Sequence, residues 1–403
     1  MGSQMPNDIY IVNGKVVTPF RIIHNGGVQV RGDRIIGVFE MGSVEIPLNQ
    51  QIIDVKGCIV SPGLIDMHLH GGGGADVMDG DLNSLETIAA THAAGGVTSI
   101  LPSTLTSSGK DLHKVLETFK HAGDMNGKGA KILGLHLEGP YFAASQKGAQ
   151  DGRYLKNPDP REYLSLFDNY PFIRRVSAAP ELPGALELGR ELRRRKILAS
   201  IGHSDATYDE VIDAVGAGYS HITHLYSGMS GIKRVNCYRV AGIIESALLM
   251  DELTVEIIAD GKHLPASLLK LIYKCKGAGR IALCSDALRA TMLPEGEYIS
   301  GSNGDGQKIH VEQGVAWLAD RSAFAGSVAT GNRLIRTMVE LAEIPLREAI
   351  MMVTDTPARI LEMDDRIGSL EAGKYADITV LKDDFSVVMT MVNGTTVYSS
   401  QTC

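Results

Sequence analysis

Apolar runs alternate with amphipathic helical stretches from Leu64 to Asp286, and no other feature constrains the fold of this chain as tightly. Eight runs read as strands, at 64–70, 97–101, 132–138, 173–178, 197–203, 221–225, 254–260 and 280–286. Helical periods fill most of the gaps, for example 82–94, 112–122, 185–195 and 208–217. Strands that are apolar throughout and alternate with helices belong to a parallel sheet covered on both faces. Eight such units predict an α/β protein built on a closed (β/α)8 TIM-type barrel. An open doubly wound sheet is the alternative. It would favour Gly-x-Gly-x-x-Gly after its first strand, whereas this loop reads Gly71-Gly72-Gly73-Gly74-Ala75-Asp76 and no helix opens there.

The two ends have another texture. Ile9-Tyr10-Ile11-Val12 before Asn13-Gly14, Gly27-Val28-Gln29-Val30 and Arg34-Ile35-Ile36-Gly37-Val38 are short strands with hairpin turns. Ala376-Asp377-Ile378-Thr379-Val380-Leu381 and Val387-Val388-Met389-Thr390-Met391-Val392 repeat the pattern. A small β-sandwich assembled from both termini, residues 1–60 and 363–403, is therefore expected around a barrel of residues 61–362. The stretch 288–324 is expected to be an irregular insertion on that barrel.

Functional residues of such a barrel sit where strands end and loops begin. His68 and His70 close the first strand, two residues apart and so on one face. Glu138 ends the third, His203 the fifth, His224 the sixth and Asp286 the eighth. Any one of these could be a satisfied core group. Six at one end of the strands point to a metal site, because clustered imidazoles and carboxylates otherwise carry a heavy burial cost. Glu138 falls between the two histidine pairs around the ring, so it can bridge two metals or bind one. With His203 and His224 it would form one site, and His68, His70 and Asp286 the other. The cofactor expected is one or two divalent ions, for which zinc, iron, manganese and cobalt are all suitable. A metal lowers the pKa of bound water and polarises a carbonyl, so metal-bound hydroxide would be the attacking group. Asp286 would then be the general base, returning the proton to a leaving amine. The chemistry expected is hydrolysis of a carbon–nitrogen bond, most simply an amide.

Asp260-Gly261-Lys262-His263 follows the seventh strand, where His263 could hold substrate or stabilise a developing oxyanion. Arg239, with Lys233 and Arg234 nearby, lies in the loop after the sixth strand and could pair with an anionic group. Arg193-Arg194-Arg195-Lys196 ends a helix, where dipole compensation and solubility explain it. His92, His113 and His121 lie in helical segments without a partner at ligand spacing and read as structural or exposed.

A net charge of −8 argues against nucleic acid as a partner and leaves a small anionic ligand open. The apolar runs are too short to span a membrane. No basic start or apolar stretch marks a signal peptide, and Met1-Gly2-Ser3-Gln4 ahead of Met5 reads as a cloning remnant. Cys58, Cys237, Cys275, Cys284 and Cys403 are scattered and odd in number, which suits a reduced, cytoplasmic protein.

Taken together, these residues resemble the amidohydrolase superfamily and, more narrowly, the N-acetylglucosamine-6-phosphate deacetylases. The resemblance runs through Pro62-Gly63-Leu64-Ile65-Asp66-Met67-His68-Leu69-His70-Gly71 and Gly202-His203-Ser204-Asp205-Ala206. It continues in Thr223-His224-Leu225-Tyr226, Ile258-Ala259-Asp260-Gly261-Lys262-His263 and Ser285-Asp286-Ala287. His136-Leu137-Glu138-Gly139-Pro140-Tyr141 is its most specific segment. The resemblance implies a metal-dependent barrel, a composite β domain, a homodimer, and Glu138, His203 and His224 as core ligands. His68 and His70 imply capacity for a second ion.

Three departures from the family pattern touch the sugar and phosphate rather than the chemistry. Gly148-Ala149-Gln150-Asp151 stands where the family has histidine and asparagine in its last two positions, and Ser227-Gly228 where it has Asn-Ala. The segment whose arginine reaches a phosphate across the dimer is reduced to Arg239-Val240-Ala241-Gly242. Gln150 cannot carry a proton as histidine does, and Ser227 offers no amide donor. Gln150, Ser227, Gly228, His263 and Arg239 are thus the candidate substrate contacts, Arg239 reaching the neighbouring active site.

The leading reading is removal of the acetyl group from an N-acetyl amino-sugar phosphate, most simply N-acetylglucosamine 6-phosphate. The galactosamine epimer or another N-acyl ligand is an alternative, as is a cyclic amidohydrolase or deaminase. Against that last reading, the chain has one tryptophan and no candidate for a carboxylated lysine at a strand end. A non-catalytic scaffold would have no need of its metal ligands, yet all six positions are filled.

Overall fold

The computed structural model describes residues 8–125 and 127–400, so the N-terminal Met1–Gln4 remnant and Cys403 lie outside the described residues. Strands from the two ends of the chain share one eight-stranded sheet. Ile59–Pro62 joins them, running parallel to Ile9–Val17 on one side and antiparallel to Ile378–Leu381 on the other. Ile11, Val28, Val60, Ile378 and Met391 form a common apolar core for this sheet.

The middle of the chain forms a curled parallel sheet in two pieces. Leu64–Leu69, Val97–Pro102 and Lys131–Ile132 make one, and Leu135–Glu138 through Ile281–Cys284 the other. Single parallel bridges lie at both seams, Ser103 to His136 and Leu69 to Ala287. The third expected strand is interrupted at Gly134, where φ is +150° and a side chain would meet the Arg174 side chain at 2.4 Å. Most residues of these strands are buried, which explains their unbroken apolar character.

Helices occupy the gaps because apolar spacing and capping agree there. Leu82–Ala94 starts at Asp81, whose carboxylate accepts the Ser84 N–H. Tyr208–Ala217 opens with a capping box of Thr207 and Glu210. Ala185–Arg195 carries three arginines in its last turn; Arg194 and Arg195 pair with Glu191, and Arg195 also with Asp168.

The insertion expected to be irregular is ordered. Residues 288–324 contain most of an antiparallel meander, Gly296–Ser300, Gln307–Glu312, Val315–Leu318 and Phe324–Ser327. Its own small core, with Leu288, Ile309, Val311 and Ala316, explains why it is not a loop. Buried Arg289 ties it to the first strand's loop, donating to the carbonyls of Ile299, Gly74 and Gly301 and to Asp79. The loop after the sixth strand is likewise a hairpin, Lys233–Val235 with Tyr238–Val240, in which Arg234 pairs with Arg239.

Candidate functional site

The six strand-end residues come together, with four histidines around Glu138. Its Oε1 lies 3.0 Å from His224 Nε2, 3.3 Å from His68 Nε2 and 3.4 Å from His203 Nε2. Its Oε2 lies 3.3 Å from His70 Nε2. Asp286 Oδ1 stands 3.2 Å from His70 Nε2 and 3.8 Å from His68 Nε2. All six side chains are buried or nearly so.

Strand alternation places His68 on the inner face, but three of the others are turned inward by the backbone beyond the strand ends. His203, His224 and Asp286 have φ of +46°, +27° and +48°. Left-handed backbone is costly for residues with a β-carbon and gathers at functional sites. Here it re-aims three side chains toward one point. Gly228 makes room for one of them: a β-carbon there would sit 2.7 Å from His203 Nδ1 and 2.9 Å from the Gln146 carbonyl. That carbonyl is the acceptor of the His203 Nδ1 hydrogen bond, at 2.9 Å.

The donor set is that of a cation site. His68 Nε2, His203 Nε2 and His224 Nδ1 are buried without a hydrogen-bond partner. Two groupings, His68–Glu138–His224 and His68–His70–Asp286, place one ligand atom from each residue within 4.8 Å of the others. Burial opposes charge on His68, yet Glu138 and Glu256 outweigh it and raise its pKa to about 9. Burial pushes the Glu138 carboxyl up, but the surrounding histidines hold it well below the usual carboxylate range. Such a cluster demands positive charge, which a divalent ion would supply. A third grouping, His68–Glu256–Cys284, is different, because Glu256 already faces the Arg175 guanidinium at 2.6 and 2.8 Å. A cation is not needed there.

The candidate substrate contacts are arranged unequally. Gln150 is 5% exposed; its amide donates to Glu138 Oε2 at 2.7 Å and its oxygen accepts the Thr106 N–H at 2.8 Å. His263 is fixed by Asp260, which bonds its Nδ1 at 2.8 Å, and its ring packs on Phe324 of the meander. Gly228 stands beside His203, and the Ser227 N–H donates to the His224 carbonyl at 2.9 Å. Arg239 is exposed on its hairpin, and among the described residues no ion pair or hydrogen bond joins it to the cluster. Lys233, by contrast, pairs with Asp205 at 2.6 Å. His92 is buried with Nε2 on the Gly71 carbonyl, and His113 meets the Tyr170 hydroxyl, so neither joins the site.

Sequence reasoning missed Glu256 and Arg175, which lie fully buried beneath the histidines. Charges of opposite sign within the otherwise apolar Ile173–Ala178 and Thr254–Ile258 were the available signal, although Arg174 beside Arg175 is exposed.

Comparison with known proteins places these features in context. The amidohydrolase family profile matches residues 59–397. An N-acetylglucosamine-6-phosphate deacetylase of Vibrio furnissii is 33% identical over 391 residues, covering 95% of this chain and 94% of that protein. An N-acetylgalactosamine-6-phosphate deacetylase of Escherichia coli O157:H7 is 33% identical over 349 residues, covering 86% and 90%. The crystal structure of the N-acetylglucosamine-6-phosphate deacetylase of Pasteurella multocida superposes with a TM-score of 0.90 at 28% identity, covering 98% and 100%. No helix among the described residues is long and apolar enough to cross a membrane.

Proposed function

The chain belongs to the amidohydrolase family, among the N-acetylglucosamine-6-phosphate deacetylases, and on that premise we propose that it hydrolyses the acetyl amide of an N-acetyl amino-sugar phosphate. N-acetylglucosamine 6-phosphate would give glucosamine 6-phosphate and acetate. The observation that carries this reading is the gathering of four histidine rings around Glu138, with Asp286 against two of them and three buried ring nitrogens making no hydrogen bond.

Glu138, His203 and His224 would hold one divalent ion, and His68, His70 and Asp286 a second; zinc, iron, manganese and cobalt suit these donors. When bound, such an ion supplies Lewis acidity, lowering the pKa of water and polarising a carbonyl. Asp286 is the acid–base: its carboxylate takes the proton as water oxygen adds to the acetyl carbon. It then returns that proton to the amide nitrogen, the carbon–nitrogen bond breaks, and amine and acetate leave. His263, fixed by Asp260 through Nδ1, keeps Nε2 for the substrate. Ser227 and Gly228 line the sugar's approach. Arg239 binds the phosphate of the neighbouring subunit's substrate in a homodimer, which accords with its exposure and with the absence of an ion-pair partner among the described residues.

We read the two parallel pieces as one closed (β/α)8 barrel of residues 61–362, closure being supported by the bridges at both seams. The terminal sheet, with one apolar core shared by strands of both ends and a second around Tyr10, Val12 and Phe39, is read as a sandwich of residues 1–60 and 363–403. Cytoplasmic location fits the scattered, odd-numbered cysteines of the sequence.

N-acetylgalactosamine 6-phosphate is a second reading, favoured by the equal identity of the Escherichia coli relative. Amine release from both phosphorylated epimers and from unphosphorylated N-acetylglucosamine, with metal-quantified protein, decides between them. Turnover of one phosphorylated sugar is expected. No turnover of any of the three by metal-loaded protein would redirect the enzyme to another N-acyl substrate.

A further inference from the structure

Arg175 and Glu256 are both wholly buried, and their contacts run to the residues of the site rather than around it. Glu256 Oε1 accepts from His68 Nδ1 at 2.6 Å and from the backbone N–H of His224 at 3.1 Å. Arg175 grips both oxygens of Glu256, and its other bonds reach the Met67 carbonyl at 3.2 Å and the Thr223 hydroxyl at 3.0 Å. Met67 and Thr223 are the residues immediately before His68 and His224. Its Nε donates to the Ser200 hydroxyl on the strand that leads to His203. One ion pair therefore spans the strands that deliver three histidines.

We propose that Glu256, locked in place by Arg175, is a positioning residue that aims His68 Nε2 at Glu138 and sets the spacing of His68 and His224. The proposal rests on the metal-centre reading above. Glu256 faces the Arg175 guanidinium and accepts from His68, so Nδ1 of His68 carries a hydrogen and it is Nε2 that would offer its lone pair to a bound cation. The other ring contacts are weaker in kind: His70 Nδ1 and His203 Nδ1 meet the neutral carbonyls of Ser103 and Gln146. A carboxylate behind an imidazole fixes its tautomer and raises its basicity toward a metal, where a carbonyl does so less. Stability alone does not account for the pair. Burying two charges costs about as much as their attraction returns, and apolar replacements of similar volume are often neutral or stabilising.

The experiment compares two double variants that both remove the buried charges, Arg175→Met with Glu256→Gln and Arg175→Met with Glu256→Leu. Gln keeps an oxygen for His68 Nδ1 and Leu does not. Zinc affinity is measured by chelator competition, and the melting temperature is taken in excess chelator. We expect the Leu variant to lose roughly 10–100-fold in zinc affinity, the Gln variant to lose clearly less, and the two metal-free proteins to melt alike. Equal zinc affinities in the two variants would overturn the positioning role while leaving the metal centre intact. Wild-type protein that takes up no zinc would instead overturn the metal-centre reading and, with it, this proposal. If a double variant does not fold, Glu256→Asp keeps the charge for Arg175 and withdraws the oxygen from His68. Its zinc affinity is expected to drop at least about tenfold, and unchanged affinity would refute the proposal.

Discussion

Gln150 donates its side-chain amide to Glu138 Oε2 at 2.7 Å and accepts the Thr106 N–H at 2.8 Å. Both ends of the amide are occupied and little of it is exposed, an arrangement suited to orienting the central carboxylate. Gln150→Ala removes a hydrogen bond to a charged group, worth about 1.5–3 kcal/mol. Zinc affinity and kcat should fall by about one to two orders of magnitude on that basis, with KM for the phosphorylated sugar little changed. A rise in KM alone would make Gln150 a sugar contact instead.

That role was not legible in the sequence, and the reason is general to this site. The strand-and-helix alternation is local information, so Leu82–Ala94, Ile173–Ala178 and Tyr208–Ala217 fall where apolar spacing and caps put them. The six convergent residues were legible because they close apolar runs. Their direction was not: His203, His224 and Asp286 lie past the strands and point inward through left-handed backbone, which no period-two pattern encodes. Partners joined across distant segments, such as Gln150 with Thr106 or Arg175 with Glu256, depend on closure of the sheet. The meander after Asp286 was hidden by its short strands and glycine-rich turns, although Lys308-Ile309-His310-Val311-Glu312 alternates.

Asp286 Oδ1 faces both first-strand histidines and is placed to hold a proton between water and amine. Asp286→Asn keeps an oxygen toward His68 and His70 but cannot take that proton. Turnover should fall by roughly 10²–10⁴-fold, while most of the bound metal is retained on elemental analysis. Near-normal turnover would remove Asp286 as the acid–base.

Arg239 stands exposed on its hairpin, and among the described residues no ion pair joins it to an acidic side chain. Arg239→Ala should raise KM about 10–100-fold for the phosphorylated sugar, as expected for a lost charge-assisted bond, and leave the unphosphorylated sugar unaffected. If the arginine crosses to the neighbouring subunit, mixing Arg239→Ala with Asp286→Asn protein should restore part of the activity. One of the two sites in a mixed dimer then receives an intact Asp286 and the other subunit's intact Arg239. No recovery on mixing, with subunit exchange verified, would place Arg239 in its own subunit's site or outside any site.

Asp76 gives a stability prediction with a definite sign. Its carboxyl is buried and its pKa is pushed up to about 6 by burial, against the opposing pull of Arg289 and the N–H groups of Met78 and Gly301. A carboxyl whose pKa is higher folded than unfolded binds more protons in the folded state between those values. Stability is therefore lost as pH rises from about 4 through 6, and the ionised form above that carries the cost. Asn keeps an acceptor for one of the two N–H groups, Met78 or Gly301, and does not ionise. The melting temperature of Asp76→Asn minus that of wild type should thus increase between pH 4 and pH 7, whatever its value at the acid end. A difference that stays flat would show that Asp76 ionises in the folded protein as it does unfolded, with Arg289 offsetting its burial.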